Sequence, residues 1–112
     1  MTTIQDVLRL LGIGKRFVGY AIVAKAVPLA VEDETRLYCV SRCLYPLVAE
    51  QVPCSLSTME RNIRTVIEEA WKNNRQCLIR LAGYEMSQPP SVKQFLDILV
   101  TYILHAQGKK PA

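Results

Sequence analysis

The sequence lacks any segment long and apolar enough to cross a membrane. A membrane helix needs about 20 consecutive apolar residues, and Lys15, Arg16 and Lys25 interrupt the most apolar region. The first eleven residues carry Asp6 and Arg9 within their apolar pattern, which is not typical of a signal peptide. We therefore expect no membrane contact and a cytoplasmic location.

Groups suited to catalysis are scarce as well. The chain has one histidine, His105, and it lies where the last predicted helix ends. The adjacent Glu68 and Glu69 would project about 100° apart on a helix, so they do not form a carboxylate pair. No glycine-rich phosphate-binding loop is present. We expect neither enzymatic activity nor a cofactor.

Four cysteines are present, but none has the C-x-x-C spacing of a zinc or redox motif. Cys39 and Cys43 would share one helical face, and they could hold a metal only if Cys54 and His105 lay nearby. Small buried hydrophobic side chains with reduced thiols are the more ordinary interpretation. We expect reduced thiols and no metal site.

The chain is long enough for one domain. Its 112 residues, half of them hydrophobic, can bury a core without disulfides, and we expect a single domain over residues 1–106 followed by a disordered tail over 107–112. The formal charge is +4, and Lys plus Arg outnumber Asp plus Glu by 6 to 5 up to Cys54 and by 8 to 5 after it. This excess favours an anionic partner, weakly, and lies mostly in the second half.

Helical periodicity runs through the whole chain, and no segment alternates apolar and polar residues as a half-buried strand does. The fold class is therefore predicted to be all-α. Pro28 is expected to kink the second helix or end it near Val27, and Pro46 is expected to divide the third. The pattern predicts six helices, over 3–11, 15–31, 35–52, 57–74, 76–82 and 91–105.

The fourth predicted helix has the clearest apolar stripe. Ser57 followed by Glu60 matches a capping box, which would begin the helix at that serine. The stripe indicates core packing and not a cofactor site. Its members are Leu56, Met59, Ile63, Val66, Ile67, Ala70 and Trp71.

A short helix, a break near residues 53–56 and a longer amphipathic helix are the layout of a helix-turn-helix, whose second helix enters the major groove of DNA. Thr58, Arg61 and Thr65 are predicted to lie opposite the apolar stripe, with Glu60 and Arg64 beside it. Recognition helices contact base edges chiefly with their N-terminal residues, and arginine can fork onto guanine.

Spacing alone leaves a second interpretation of these charges open. Arg61 and Arg64 could be solvated side chains that pair with Glu68 or Glu60. Glu60 could serve only the capping box, although a carboxylate there could also accept a hydrogen bond from cytosine N4.

Several longer runs resemble a known family. The runs GIGKRFVGYAIVAKAVPLAVED, CLYPLVAEQV, STMERNIRTVIEEAW and LAGYEMSQPPSVKQFLDILV are similar to the C-terminal DNA-binding effector domain of the sporulation initiation master response regulator, the stage 0 sporulation protein A family of endospore-forming bacteria. The resemblance covers residues 4–104. Its most specific pieces are Gly19-Tyr20, Leu44-Tyr45-Pro46, Glu60-Arg61, Ile63-Arg64, Ala70-Trp71 and Gly83-Tyr84.

The resemblance implies a six-helix domain whose helix-turn-helix binds a short promoter box. It also implies two copies on tandem boxes, as a homodimer, and contacts with RNA polymerase sigma subunits. Glu60, Arg61 and Arg64 match the base-reading and phosphate-contacting positions of the family, and Ser57 matches a position at the start of the same helix.

The chain also departs from the family pattern. Thr58 stands where the family typically has an arginine, and Thr65 where it has a histidine. The turn reads Pro53-Cys54-Ser55 in place of an asparagine and two threonines. Each lost cation removes a contact, so we expect a changed affinity or box preference.

Two functional hypotheses follow. The first is a sequence-specific DNA-binding transcription regulator that acts alone or competes with a full-length relative. The second, motivated by Thr58 and Thr65, is a protein-interaction domain of the same fold that binds a sigma subunit or a relative and no longer reads DNA. Full-length members carry an N-terminal receiver domain, and a complete chain that starts at Met1 is expected to lack that control.

Overall fold

The computed structural model describes residues 3–108, and within that range the chain is helical with no strand. The all-α prediction is confirmed. Gln107 and Gly108 form a turn after the last helix, and the remainder of the expected tail, 109–112, lies outside the described residues. The described part contains five α-helices: α1 (Ile4–Leu10), α2 (Val18–Glu32), α3 (Tyr45–Ala49), α4 (Leu56–Ala82) and α5 (Val92–Ala106).

Helix α1 begins with a reciprocal cap. The backbone N–H of Asp6 donates to Thr3 Oγ1 at 3.2 Å, and the Thr3 N–H donates to Asp6 Oδ2 at 3.1 Å. Hydrogen bonds from the backbone N–H and the side chain of Thr3 to the Asp6 carboxylate hold the pKa of that carboxyl below its ordinary value. The apolar side chains at helical spacing, Ile4, Val7, Leu8 and Leu11, are buried.

Helix α2 is the central helix. It begins at Val18, three residues later than predicted, and ends at Glu32, one residue beyond the predicted limit of 31. Of the two effects expected of Pro28, the early end near Val27 is wrong, because the helix continues past the proline. A proline removes only one backbone donor, and the buried side chains of Val27 and Ala30 hold the chain in the core on either side of it. Val18, the first residue of the helix, is 59% exposed.

The segment between α2 and α4 is less regular than predicted. A 3₁₀ helix (Glu34–Cys39) and a π-helical turn (Val40–Leu44) precede the short α3. Pro46 lies in the first turn of α3, where its missing N–H would have no helical partner in any case. The proline therefore marks the start of α3, as the predicted division at this position implied.

The two helices predicted over 57–74 and 76–82 form the two arms of α4, which a kink separates at the predicted boundary. The arms meet at Asn74, whose backbone is not helical (φ −141°, ψ 41°). The side-chain amide of Asn74 donates to the carbonyl oxygen of Leu11 at 2.7 Å, which ties the bend to the end of α1. The second arm ends at Gly83, whose φ of +82° favours glycine.

The core lies where α2, α4 and α5 pack together. The apolar side chains on the inner side of α5 are buried, namely Val92, Phe95, Leu96, Leu99, Val100 and Ile103. Gly19 of α2 is buried against the first arm of α4, where a methyl group would overlap the Asn62 carbonyl and lie 2.5 Å from Cγ2 of Val66. This close contact sets the distance between α2 and the first arm of α4.

Among residues 3–108, no helix has the length and apolar character that a membrane crossing requires.

Candidate nucleic-acid interface

The first turn of α4 is capped two residues earlier than predicted. Ser55 is the N-cap, and its Oγ accepts from the Thr58 N–H at 3.2 Å. The expected Ser57–Glu60 capping box is wrong, because Ser57 already lies inside the helix and the Glu60 carboxylate is bonded elsewhere. With this cap, α4 begins one residue earlier than the predicted range of 57–74.

That extra residue is Leu56. It was predicted to belong to the core stripe but is 47% exposed at the first helical position. The stripe starts at Met59, and its members Met59, Ile63, Val66, Ile67 and Ala70 are buried. Trp71 is half-buried, with the Arg75 guanidinium 4.3 Å from its ring centroid. One side of the first arm is therefore buried in the core.

The opposite side of the first arm is an open face. Ser57, Arg61, Arg64 and Thr65 are exposed, whereas Thr58 and Glu60 are half-buried. A shallow groove brings five of the six predicted site residues together and leaves Thr58 outside. Its lining is Ser57, Glu60, Arg61, Arg64, Thr65 and Glu68.

The charges on this face are unequally paired. Arg64 Nη2 lies 3.6 Å from Glu60 Oε2, whereas Arg61 makes no ion pair with any residue of the described range. The predicted Arg64–Glu68 alternative is not formed. Arg61 can therefore bind a ligand without first breaking an ion pair.

The side chain of Glu60 is oriented by a hydrogen bond from Tyr45, which the sequence did not indicate as its partner. The Tyr45 hydroxyl donates to Glu60 Oε1 at 2.6 Å, across the turn between α3 and α4. Burial of the Tyr45 ring, together with the Glu60 carboxylate, raises the pKa of the hydroxyl, so it remains a donor. The signal in the sequence was only general, namely that a buried tyrosine needs a partner for its hydroxyl.

The two threonines make local hydrogen bonds. Thr58 Oγ1 accepts from Ser55 Oγ at 2.9 Å and so belongs to the helix cap. The Thr65 hydroxyl donates to the Arg61 carbonyl at 3.1 Å, one turn earlier. Thr65 is exposed and therefore presents an uncharged side chain on this face.

No other cluster of functional groups appears in the described range. Residues 3–108 contain no group of three or more His, Cys, Asp or Glu side chains arranged to hold a metal. All four thiols are free. The expectation that the thiols are buried is wrong: Cys39, Cys54 and Cys77 are half-buried, and Cys43 is exposed.

The chain matches a known protein family. The family model described as "Sporulation initiation factor Spo0A C terminal" matches residues 4–103. The match therefore includes all five helices except the last residues of α5, and the whole open face of α4.

Proposed function

Because the chain belongs to the Spo0A C-terminal family of sporulation initiation factors, we propose that it reads a specific sequence of double-stranded DNA with the first arm of α4. The family is one of DNA-binding effector domains that regulate transcription in sporulation. The finer proposal concerns how this chain binds and through which residues.

We propose that α3 and α4 act as a helix-turn-helix, with the first arm of α4 in the major groove. The observation that carries this is Arg61, which is exposed, makes no ion pair with any described residue, and lies within the first turns of α4. A bare guanidinium at such a position can donate two hydrogen bonds to guanine O6 and N7. An arginine held in a surface ion pair network would be a weaker candidate.

The neighbouring residues have complementary chemistry. Glu60 can accept from a cytosine amino group, Arg64 can contact a phosphate or a base, and Ser57 and Thr65 offer hydroxyls at the edges. With threonine at position 65 and at Thr58, the face has fewer cations than the family pattern implies. We infer a preference for a box that differs from the usual one, or a weaker affinity for it.

The partners follow from the same premise. We propose that two copies occupy tandem boxes and that the bound protein contacts a sigma subunit of RNA polymerase, as the family resemblance implies. Since its ligand is bacterial DNA, we propose the cytoplasm as its compartment. Stoichiometric titration of duplexes that carry one box or two tests the tandem arrangement.

The first experiment compares a duplex carrying a sporulation-type promoter box with a scrambled duplex, by fluorescence anisotropy. Arg61→Ala is expected to reduce discrimination between them by about 1–3 kcal/mol, the typical value of one good base contact. Arg80→Ala is the matched control, since it removes the same charge from an exposed position of α4 about five turns further along.

Equal binding of the unmodified protein to both duplexes would contradict specific readout. If the protein then recovered a sigma subunit in a binding assay with purified components, the interaction-domain hypothesis would replace the present one.

A further inference from the structure

Three side chains form a continuous chain from the core to the open face of α4. The Tyr45 hydroxyl lies 2.6 Å from Glu60 Oε1, and Glu60 Oε2 lies 3.6 Å from Arg64 Nη2. We propose that Tyr45 is a positioning residue for base recognition, which acts by fixing the orientation of Glu60 and, through it, of Arg64. The inference rests on the proposed function.

Tyr45 is suited to hold another side chain in place. It is fully buried at the start of α3, so neither its ring nor its hydroxyl can reorient freely. Exposure increases outward along the chain, since the side chain of Glu60 is 38% exposed and that of Arg64 is 70% exposed. The buried hydroxyl of Tyr45 thus contacts the partly exposed Glu60, which in turn contacts the more exposed Arg64.

The ion pair between Glu60 and Arg64 would not give this order by itself. An exposed pair at i, i+4 changes a conformational equilibrium by only about twofold. A hydrogen bond from a buried hydroxyl to a carboxylate is charge-assisted and stronger. The orientation of the Glu60 side chain is therefore set mainly by its hydrogen bond with Tyr45.

This arrangement assigns the two carboxylate oxygens of Glu60 different roles. Oε1 is used by Tyr45, and Oε2 is left to face either Arg64 or a base amino group in the groove. A side chain already held in its bound orientation loses less conformational entropy on binding. Arg61 has no link to Tyr45 in the described range, so its contacts should be independent of this chain of bonds.

The test is selection from a library of randomised duplexes, followed by sequencing, with the intact protein and its variants. Glu60→Gln and Arg61→Ala first identify the base pairs that each residue reads. Tyr45→Phe keeps the packed ring and removes only the hydroxyl. It is expected to relax the preference about fivefold at the Glu60-dependent base pairs, the lower end of what one good contact provides, and to leave the Arg61-dependent pairs unchanged.

Two further variants separate positioning from general damage. Tyr102→Phe is the matched control, because this half-buried tyrosine of α5 makes no side-chain hydrogen bond within residues 3–108. In a Glu60→Ala background, Tyr45→Phe is expected to change the selected sequences no further. Thermal unfolding of every variant identifies any that is not folded at the temperature of selection.

The outcomes are distinct. If the intact protein selects no sequence, both the proposed function and this inference are overturned. If it selects a sequence and Tyr45→Phe selects the same one equally well, only the role of Tyr45 is overturned. A Tyr45→Phe variant that relaxes every position, including those read by Arg61, would also contradict positioning through Glu60.

Discussion

Gly19 lies where the central helix α2 is in close contact with the proposed DNA-binding helix α4. It is buried, and the space that a side chain would need is taken by the Asn62 carbonyl and by Val66. Asn62 in turn donates its side-chain amide to the Thr58 carbonyl at 2.8 Å, one turn nearer the helix start. A displacement at this crossing would therefore move the part of α4 that carries the open face.

Gly19→Ala is expected to destabilise the protein by about 1–3 kcal/mol, because backbone and not a flexible side chain opposes the added methyl. The measurement is the free energy of unfolding in urea. Gly14→Ala is the control, since a Cβ there meets nothing within 4 Å and the backbone φ is not positive. Its effect should stay within about 0.5 kcal/mol. Equal losses for the two variants would show that the crossing is not tight.

At the scale of single elements, the first turn of α4 depends on its cap. Ser55→Ala is expected to cost about 1 kcal/mol, because it removes the acceptor for the Thr58 N–H. Ser57→Ala, the matched control inside the helix, should change the free energy of unfolding by a few tenths of a kcal/mol. The reverse order of these effects in thermal or chemical unfolding would restore the predicted cap at Ser57.

Helices with a regular apolar stripe could be predicted from the sequence, and irregular ones could not. The stripes of α1 and α5 and most of that of α4 are buried as expected, because a period near 3.6 residues follows directly from helical geometry. The 3₁₀ and π-helical segments between Glu34 and Leu44 have no such period. The choice of Ser55 over Ser57 depended on where Glu60 is bonded, which local spacing does not contain.

The bend of α4 gives another prediction at this scale. Asn74→Ala would leave the buried Leu11 carbonyl without the amide that now donates to it, at a cost of about 1–2 kcal/mol. The higher helix propensity of alanine offsets at most about 0.7 kcal/mol of this. Asn73→Ala, at the exposed neighbouring position, should be nearly neutral. Urea unfolding of both variants distinguishes a structural bend from an incidental one, for which the two changes would be alike.

At the scale of the whole molecule, the formal charge of +4 implies electrostatic attraction to DNA that is modest and sensitive to salt. If Arg64 neutralises one phosphate, the plot of log affinity against log salt concentration should have a slope of about −1 or steeper. Anisotropy titrations over a series of salt concentrations measure it.

The scrambled duplex is the control in that series, because non-specific binding should depend on salt in a similar way while starting from a lower affinity. A slope near zero for the promoter duplex would be incompatible with a phosphate contact by Arg64.

The candidate site could be predicted only in part, for a reason that concerns the whole molecule. The exposed positions Arg61, Arg64 and Thr65 follow from helical spacing once the buried stripe is known. The bond from Tyr45 to Glu60 joins residues 15 positions apart and depends on how the chain folds between the start of α3 and the first arm of α4. The contact of Asn74 with Leu11 spans 63 positions. Such pairs are set by tertiary structure, and a single sequence contains no period that would identify them.

The bend at Asn74 also determines the outline of the domain. A straight helix with the 27 residues of α4 would be about 40 Å long, whereas the Cα trace extends 32 Å along its longest principal axis. The bend gives the second arm a different direction, and Leu78 on that arm is fully buried. The hydrogen bond from the Asn74 amide to the Leu11 carbonyl joins this bend to the end of α1, so the outline of the domain and the burial of Leu78 are linked at one place.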